Sequence, residues 1–282
     1  MQMAGHPTNS DRFRDLIRSL TGISLPPSKV MMIDQRLRRR VLAAGLPDTE
    51  AYLEKLLGGA LPADELRQVI DLITTNTTSF FREADHFDYL VRSILPERLN
   101  RRSAGGIARR RFKLWSAASS EGAEAYTAAM VLEEARRRME FDYAILGTDI
   151  SQRMLERATA AIYANDQLTT VPRDLATRYF LRSTAPSMAG KSRVVPELRA
   201  RVRFRHLNLM DTSYPVDRDV DVILLRNVLI YFDAGDKEQV VDRLVGHLAP
   251  GGYLMVGHAE SMVVRHASLH QVRPTIFQKG DA

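Results

Sequence analysis

The segment from Phe112 to Asp149 leaves few folds open: an apolar strand, a loop of small residues, a helix, a second strand and then an acid. It reads FKLWSAASSEGAEAYTAAM and, further on, YAILGTDIS. A unit of this kind sets two strands parallel in one sheet with the helix against its face. An acid at the tip of the second strand is where doubly wound folds hold the hydroxyls of a nucleoside ribose. The loop has a single glycine, Gly122, in place of the repeated glycines that let backbone approach a pyrophosphate. The chain also lacks a complete Gly-x-x-x-x-Gly-Lys-Ser/Thr phosphate cradle. A ribose grip without a phosphate cradle points to an adenosine cofactor that carries no phosphate, and S-adenosylmethionine is the common one.

Alternation continues downstream. Apolar runs near 202–207, 219–225, 252–258 and 274–278 alternate with helical patterns near 151–161 and 237–248, which implies a mostly parallel sheet covered on both faces. The 40 residues from Ile162 to Arg201 are too many for a plain loop and predict a short helix with a small hairpin. Residues 11–75 differ in texture. Phe13, Leu16, Ile17 and Leu20 share one helical face, and Met32, Ile33, Leu37 and Val41 line a second helix that carries Arg36, Arg38, Arg39 and Arg40. Further helices are expected over 50–57 and from 62 to 73, making a small bundle with a basic outer stripe. A second basic run comprises Arg101, Arg102, Arg109, Arg110 and Arg111 around Gly105-Gly106.

The 282 residues include no cysteine, so disulfides and thiolate metal sites are excluded. No apolar run approaches the roughly 20 residues needed to span a bilayer, and the polar start MQMAGHPTNSDRF does not read as a signal peptide. A cytoplasmic protein without membrane insertion is expected. The net charge of +6 favours acidic partners without demanding nucleic acid.

Asp149 is the strongest single candidate, as a ribose ligand or simply as a cap for the helix that opens near Ser151. Glu124 in the first turn of its helix either serves the helix dipole or faces a cationic amino group. In DVILLRNVLIYFD the apolar strand ends at Leu225, which puts Asn227 at the ligand crevice and Tyr231 one turn later. Asn208 holds the equivalent strand end, with Leu209 beside it to contact a flat base. The histidines show no metal-ligand spacing, and there is no Gly-x-Ser-x-Gly elbow.

Taken in order, TTNTTSFFRE (Thr74–Glu83), ILGTDIS, LNLMD (Leu207–Asp211), RNVLIYFD (Arg226–Asp233) and GHAES (Gly257–Ser261) resemble the CheR family of S-adenosylmethionine-dependent methyltransferases, which esterify glutamates on bacterial chemotaxis receptors. The likeness covers nearly the whole chain. It implies an α/β, Rossmann-like class I methyltransferase sheet, mostly parallel with the last strand antiparallel. It also implies an N-terminal helical domain over 1–78 and a catalytic domain over 79–282, with a small antiparallel β-subdomain inserted at about 172–201. By the same resemblance Asn76, Thr78 and Arg82 would reach the cofactor, Glu124 would take its amino group and Asp149 its ribose. Asn208 and Leu209 would hold the adenine, Asn227 and Val228 would also bind the cofactor, and Asn227 with Tyr231 would line the transfer site, with Arg82 and Tyr231 as the catalytic pair. The product would be S-adenosylhomocysteine, and the segment bearing Arg36, Arg38, Arg39 and Arg40 would dock the receptor. The family's usual Gly-Glu-Glu-Pro-Tyr stands here as Gly122-Ala123-Glu124-Ala125-Tyr126, keeping only the second acid. A same-fold enzyme acting on nucleic acid and a non-catalytic cofactor-binding adapter are the competing readings.

Overall fold

The computed structural model describes residues 7–104, 111–183 and 185–281, which form two compact units. One takes the chain up to Thr75 together with Tyr231–Asp236, and the other takes Asn76–Ile230 and the remainder from Lys237.

In the first unit α1 (Asn9–Thr21) opens with a capping box, Thr8 accepting from the Asp11 amide and Asp11 from the Thr8 amide, both at 3.1 Å. A 3₁₀ turn at Pro27–Lys29 leads into α2 (Val30–Ala43). Then come α3 (Thr49–Leu57), capped by the Asp48 carboxylate at the Ala51 amide, and α4 (Glu65–Ile73). Phe13, Ile17, Ile33, Leu37, Tyr52, Leu53, Val69 and Ile73 make the core, following the helical spacing of the sequence.

Two arginines expected on the outer stripe of α2 turn inward. Arg36 Nη1 donates to the carbonyls of Leu72, Ile73 and Thr74 at 3.1, 2.6 and 3.2 Å, closing the C-terminal end of α4. Arg40 pairs with Glu65, which is buried and also accepts from the Tyr52 hydroxyl. Those Arg40 hydrogen bonds hold the Glu65 carboxyl below its ordinary range in spite of burial, while burial and Glu65 together raise Tyr52. Long stems let both arginines reach past their own helix face.

The second unit begins with α5 (Ala84–Tyr89), a π-helical turn at Leu90–Ile94 and α6 (Leu95–Ala104). The widening has a cause in sequence. Pro96 lacks an N–H and its ring crowds the carbonyl four residues back, so the Leu95 amide donates five back, to Leu90. Then follow β1 (Phe112–Ala117), α7 (Ala123–Arg136), β2 (Tyr143–Asp149), α8 (Gln152–Ala160), β3 (Ile162–Ala164), α9 (Arg173–Tyr179), β4 (Phe180–Arg182), β5 (Lys191–Val194), α10 (Pro196–Arg201), β6 (Val202–His206), β7 (Val220–Leu225), α11 (Ala234–His247, in this unit from Lys237), β8 (Leu248–Val256), β9 (Leu269–Arg273) and β10 (Ile276–Lys279).

Among the described residues the main sheet has seven strands in the order β6-β2-β1-β7-β8-β10-β9. Its first five run parallel, and β10 pairs antiparallel with both β8 and β9. Every residue of β7 is buried, as expected for a central parallel strand covered on both faces. The order reverses between β1 and β7, so a crevice opens beyond their carboxyl ends. A separate antiparallel sheet, β3-β5-β4, begins at Ile162, upstream of the 172–201 stretch expected from sequence. The reason is that β5 is its central strand and needs β3 on one side as well as β4 on the other.

Of the basic run at 101–111, Arg101 pairs with Glu97 and Asp281, and Arg111 with Asp142. Gly105-Gly106, Arg109 and Arg110 lie outside the described residues, as do Thr184 and the first six residues of the amino terminus. No helix among the described residues is long and apolar enough to cross a membrane.

Replacing Arg40 with Ala should strand the Glu65 carboxylate and destabilise the bundle. With Arg40 28% exposed, the expected loss is about 2 kcal/mol, short of the full penalty for breaking a buried pair. Urea denaturation of the full chain measures it, and an unchanged midpoint would refute the internal role.

Candidate functional site

The turn from β1 into α7 is unusually sharp. Ala118, Ser120 and Gly122 all take positive φ, at 63°, 49° and 88°, conformations that cost energy for the two residues bearing a Cβ. Surrounding hydrogen bonds hold them there. The Ser119 amide donates to the Thr148 carbonyl at 2.8 Å and the Gly122 amide to Ser119 at 3.0 Å. Ser120 Oγ donates to the Asn76 carbonyl at 2.8 Å, and the Tyr163 hydroxyl to the Glu121 carbonyl at 2.6 Å. Close packing reinforces the turn. A Cβ on Gly122 would lie 2.9 Å from Ala158 Cβ and 3.0 Å from Phe204, and one on Gly147 would lie 2.5 Å from the Phe204 ring.

Asp149 ends β2 and is 6% exposed. Its Oδ2 accepts from the Ser120 amide at 2.8 Å and its Oδ1 from the Ser151 amide at 2.9 Å. The cap of α8 is Ser151, whose Oγ accepts from the Met154 amide. Asp149 thus ties the loop after β1 to the turn after β2 and stands between those strand ends. The Leu207 amide donates to its carbonyl at 3.0 Å, which brings the segment bearing Asn208 and Leu209 alongside. Asn208 is half-buried, its Oδ1 accepting from the Met210 amide at 3.0 Å, and Leu209 is buried.

Glu124 sits in the first turn of α7 and accepts from Ser116 Oγ at 2.7 Å and Arg226 Nη1 at 3.0 Å. Arg226, with a side chain 2% exposed, also pairs with Glu83 at 3.2 Å, donates to the Arg82 carbonyl, and lies over the Phe87 ring with 5.4 Å to its centroid. The two acids respond differently to the guanidinium they share. Burial dominates at Glu124 and raises its pKa, against the Arg226 charge and the Ser116 hydrogen bond. At Glu83 burial also pushes upward, but Arg226, the Asn227 amide group and the His258 backbone N–H outweigh it and the pKa falls. The fully ionised triad of two carboxylates and one guanidinium carries a single net negative charge, which suits a cationic ligand group.

Asn227 follows in a left-handed conformation with φ of 60°. Its backbone N–H donates at 2.7 Å to Glu260, a fully buried acid that also accepts from the Gly257 amide at 2.7 Å. Val228 beside it is half-buried. Arg82 is exposed, with Nη1 3.3 Å from the Thr77 carbonyl, and Thr78 is half-buried. Asn76, Glu124, Asp149 and Asn227 are therefore gathered by one loop and three strand ends. Tyr231 is grouped with the helical unit, where its carbonyl accepts from the Ser24 amide at 2.9 Å.

Sequence reasoning missed Arg226, Glu83 and Glu260 as working parts. The interruption of an apolar run by Arg226-Asn227 was visible, but a buried arginine needs its two acids identified, and they lie 143 and 102 residues away in the chain.

Gly122→Ala should destabilise the second unit by about 1–2 kcal/mol from the left-handed backbone alone, before any clash is counted. Thermal unfolding checks this, and a variant as stable as the parent would show that the turn relaxes freely.

A family model described as "CheR methyltransferase, SAM binding domain" matches residues 76–277, and one described as "CheR methyltransferase, all-alpha domain" matches residues 9–74. Chemotaxis protein methyltransferase 2 of Pseudomonas aeruginosa is 37% identical over 270 residues, covering 95% of this chain and 91% of that protein. The chemotaxis protein methyltransferase of Salmonella typhimurium is 38% identical over 260 residues, 92% of this chain and 86% of its own. That of Borreliella burgdorferi is 34% identical over 267 residues, with coverage of 92% and 89%. With both halves matched in order and the crevice built on the strand ends where such a cofactor is held, the chain belongs to the CheR methyltransferase family.

Proposed function

We propose that this protein transfers a methyl group from S-adenosylmethionine to glutamate side chains in the cytoplasmic domains of chemotaxis receptors, forming methyl esters. The observation that carries the reading is the placement of Asp149 and the Glu124–Arg226–Glu83 triad around one crevice at the switch point of the sheet, in a chain of this family. Neither a nucleic-acid substrate nor a non-catalytic adapter draws support from these findings.

The donor set fits the cofactor. Asp149 offers carboxylate oxygens to ribose hydroxyls, and the net negative triad offers Glu124 to an ammonium group. Asn208 and Leu209, beside Asp149, would hold the adenine, and Asn76, Thr78 and Arg82 would close over the methionine part. Asn227 and Val228 would contact the cofactor, and Asn227 with Tyr231 would line the transfer site. S-adenosylmethionine supplies a methyl group activated on a sulfonium. A receptor glutamate, with an ordinary pKa of about 4.3, is already an anion at neutral pH and needs no general base. Arg82 and Tyr231 therefore have only to orient that carboxylate, and alignment supplies most of the rate.

Receptor-containing membranes incubated with labelled S-adenosylmethionine should release label as methanol in alkali. Asp149→Ala should weaken S-adenosylhomocysteine binding at least about tenfold in calorimetry, the size of a charged hydrogen bond. Tyr231→Phe should lower turnover while sparing that affinity. Absence of alkali-labile label with a range of receptors would overturn the assignment.

The docking reading narrows to Arg38 and Arg39, the exposed members of the basic segment, because Arg36 and Arg40 are engaged within the bundle. Reversing Arg38 and Arg39 to Glu should reduce receptor methylation several-fold at low salt and much less at high salt, with cofactor affinity unchanged. Equal activity at low salt would remove this surface from consideration.

A further inference from the structure

We infer that Glu83, His86 and His258 form a binding site for a divalent transition metal of the Zn²⁺ or Co²⁺ class. Their ligand atoms all lie within 4.8 Å of one another, which small side-chain movements convert to bonds of about 2 Å to a common ion. Two imidazoles and a carboxylate are a donor set that such metals favour.

The decisive detail is the tautomer of His86. This ring is 1% exposed, and its Nε2 lies 2.7 Å from Thr275 Oγ1. Thr275 Oγ1 also lies within hydrogen-bond distance of the Pro274 carbonyl, and with its proton directed there its oxygen accepts from Nε2, the assignment we adopt. Nδ1 is then a bare lone pair. It is buried, has no hydrogen-bond partner among the described residues, and lies 3.6 Å from Glu83 Oε2. A lone pair aimed at a carboxylate oxygen is repulsive unless an electrophile lies between them. Thr275 would be the outer hydrogen bond that fixes a ligating histidine, a recurrent partner in metal sites.

His258 completes the set from the solvent side. Its ring stands edge-on to His86 with centroids 5.6 Å apart and is largely exposed, and Asp85 Oδ2 lies 3.8 Å from its Nε2. Metal and ion can therefore exchange with solvent past His258. Because Glu83 also pairs with Arg226, the ion would compete for the carboxylate that balances the triad. That second consequence rests on the methyltransferase reading and predicts weaker cofactor binding when metal is bound.

The test uses untagged full-length protein without cofactor or receptor, so its failure leaves the methyltransferase reading intact. Equilibrium dialysis should show one Zn²⁺ bound at micromolar free metal, and Co²⁺ should give visible d–d bands. His258→Ala, at an exposed position, should weaken Zn²⁺ at least about tenfold with unchanged thermal unfolding, and His86→Gln should do the same where it folds. Wild-type protein that binds no Zn²⁺, or an affinity unaltered by His258→Ala, overturns the site.

Discussion

A single buried guanidinium organises the catalytic half of this protein. Arg226 lies between Glu83 and Glu124, and removing it would leave two acids in a poorly solvated space with no countercharge. Its position joins three parts of the chain: the segment leading into α5, the first turn of α7 and the end of β7. The pair of acids is unequal because the other donors are unequal. Glu83 collects two more donors, which lower its pKa, whereas among the described residues Glu124 has only Ser116 in addition and its pKa is raised. A cationic group placed beside Glu124 would add to the compensation that Arg226 and Ser116 provide.

Much of this was readable before any coordinates. The strand–loop–helix–strand–acid pattern gave the crevice, and hydrophobic periodicity gave the bundle core at Phe13, Ile17, Leu37 and Val69. That Asp149 and Asn227 stand at strand ends was legible because strand ends in an open α/β sheet are marked by where apolar runs stop. What escaped has a common physical cause. Arg36 and Arg40 looked solvated because periodicity records only which face a Cα presents, not how far a long side chain bends back. Glu83, Glu260 and His86 escaped because each also has a partner distant in sequence, Arg226, Asn227 and Thr275 respectively, and such pairing is a property of topology. The boundaries of the inserted sheet shifted for the same reason, since a central strand's neighbours cannot be told from its own residues.

The turn from β1 into α7 carries alanines at the two positions where the family's usual pattern has Glu and Pro. Ala123 and Ala125 are both buried, at 2% and 0% exposure, so their small side chains belong to the packing of α7. Alanine there keeps helix propensity high without a proline. The acid that remains, Glu124, is the one tied to Arg226.

Tyr163 gives the inserted sheet a consequence for how such proteins diversify. Its ring packs edge-on against Phe80 and Phe180, and its hydroxyl ends on the Glu121 carbonyl in the loop between β1 and α7. An insertion anchored in this way is not a detachable module. Exchanging it for that of another protein would succeed only if the incoming strand carried a tyrosine in register with Ser192 and left the aromatic cluster intact. Divergence of this subdomain is therefore channelled to its exposed positions, such as Leu181 and Arg182 of β4, while Tyr163 and Phe180 are held by the packing of the core.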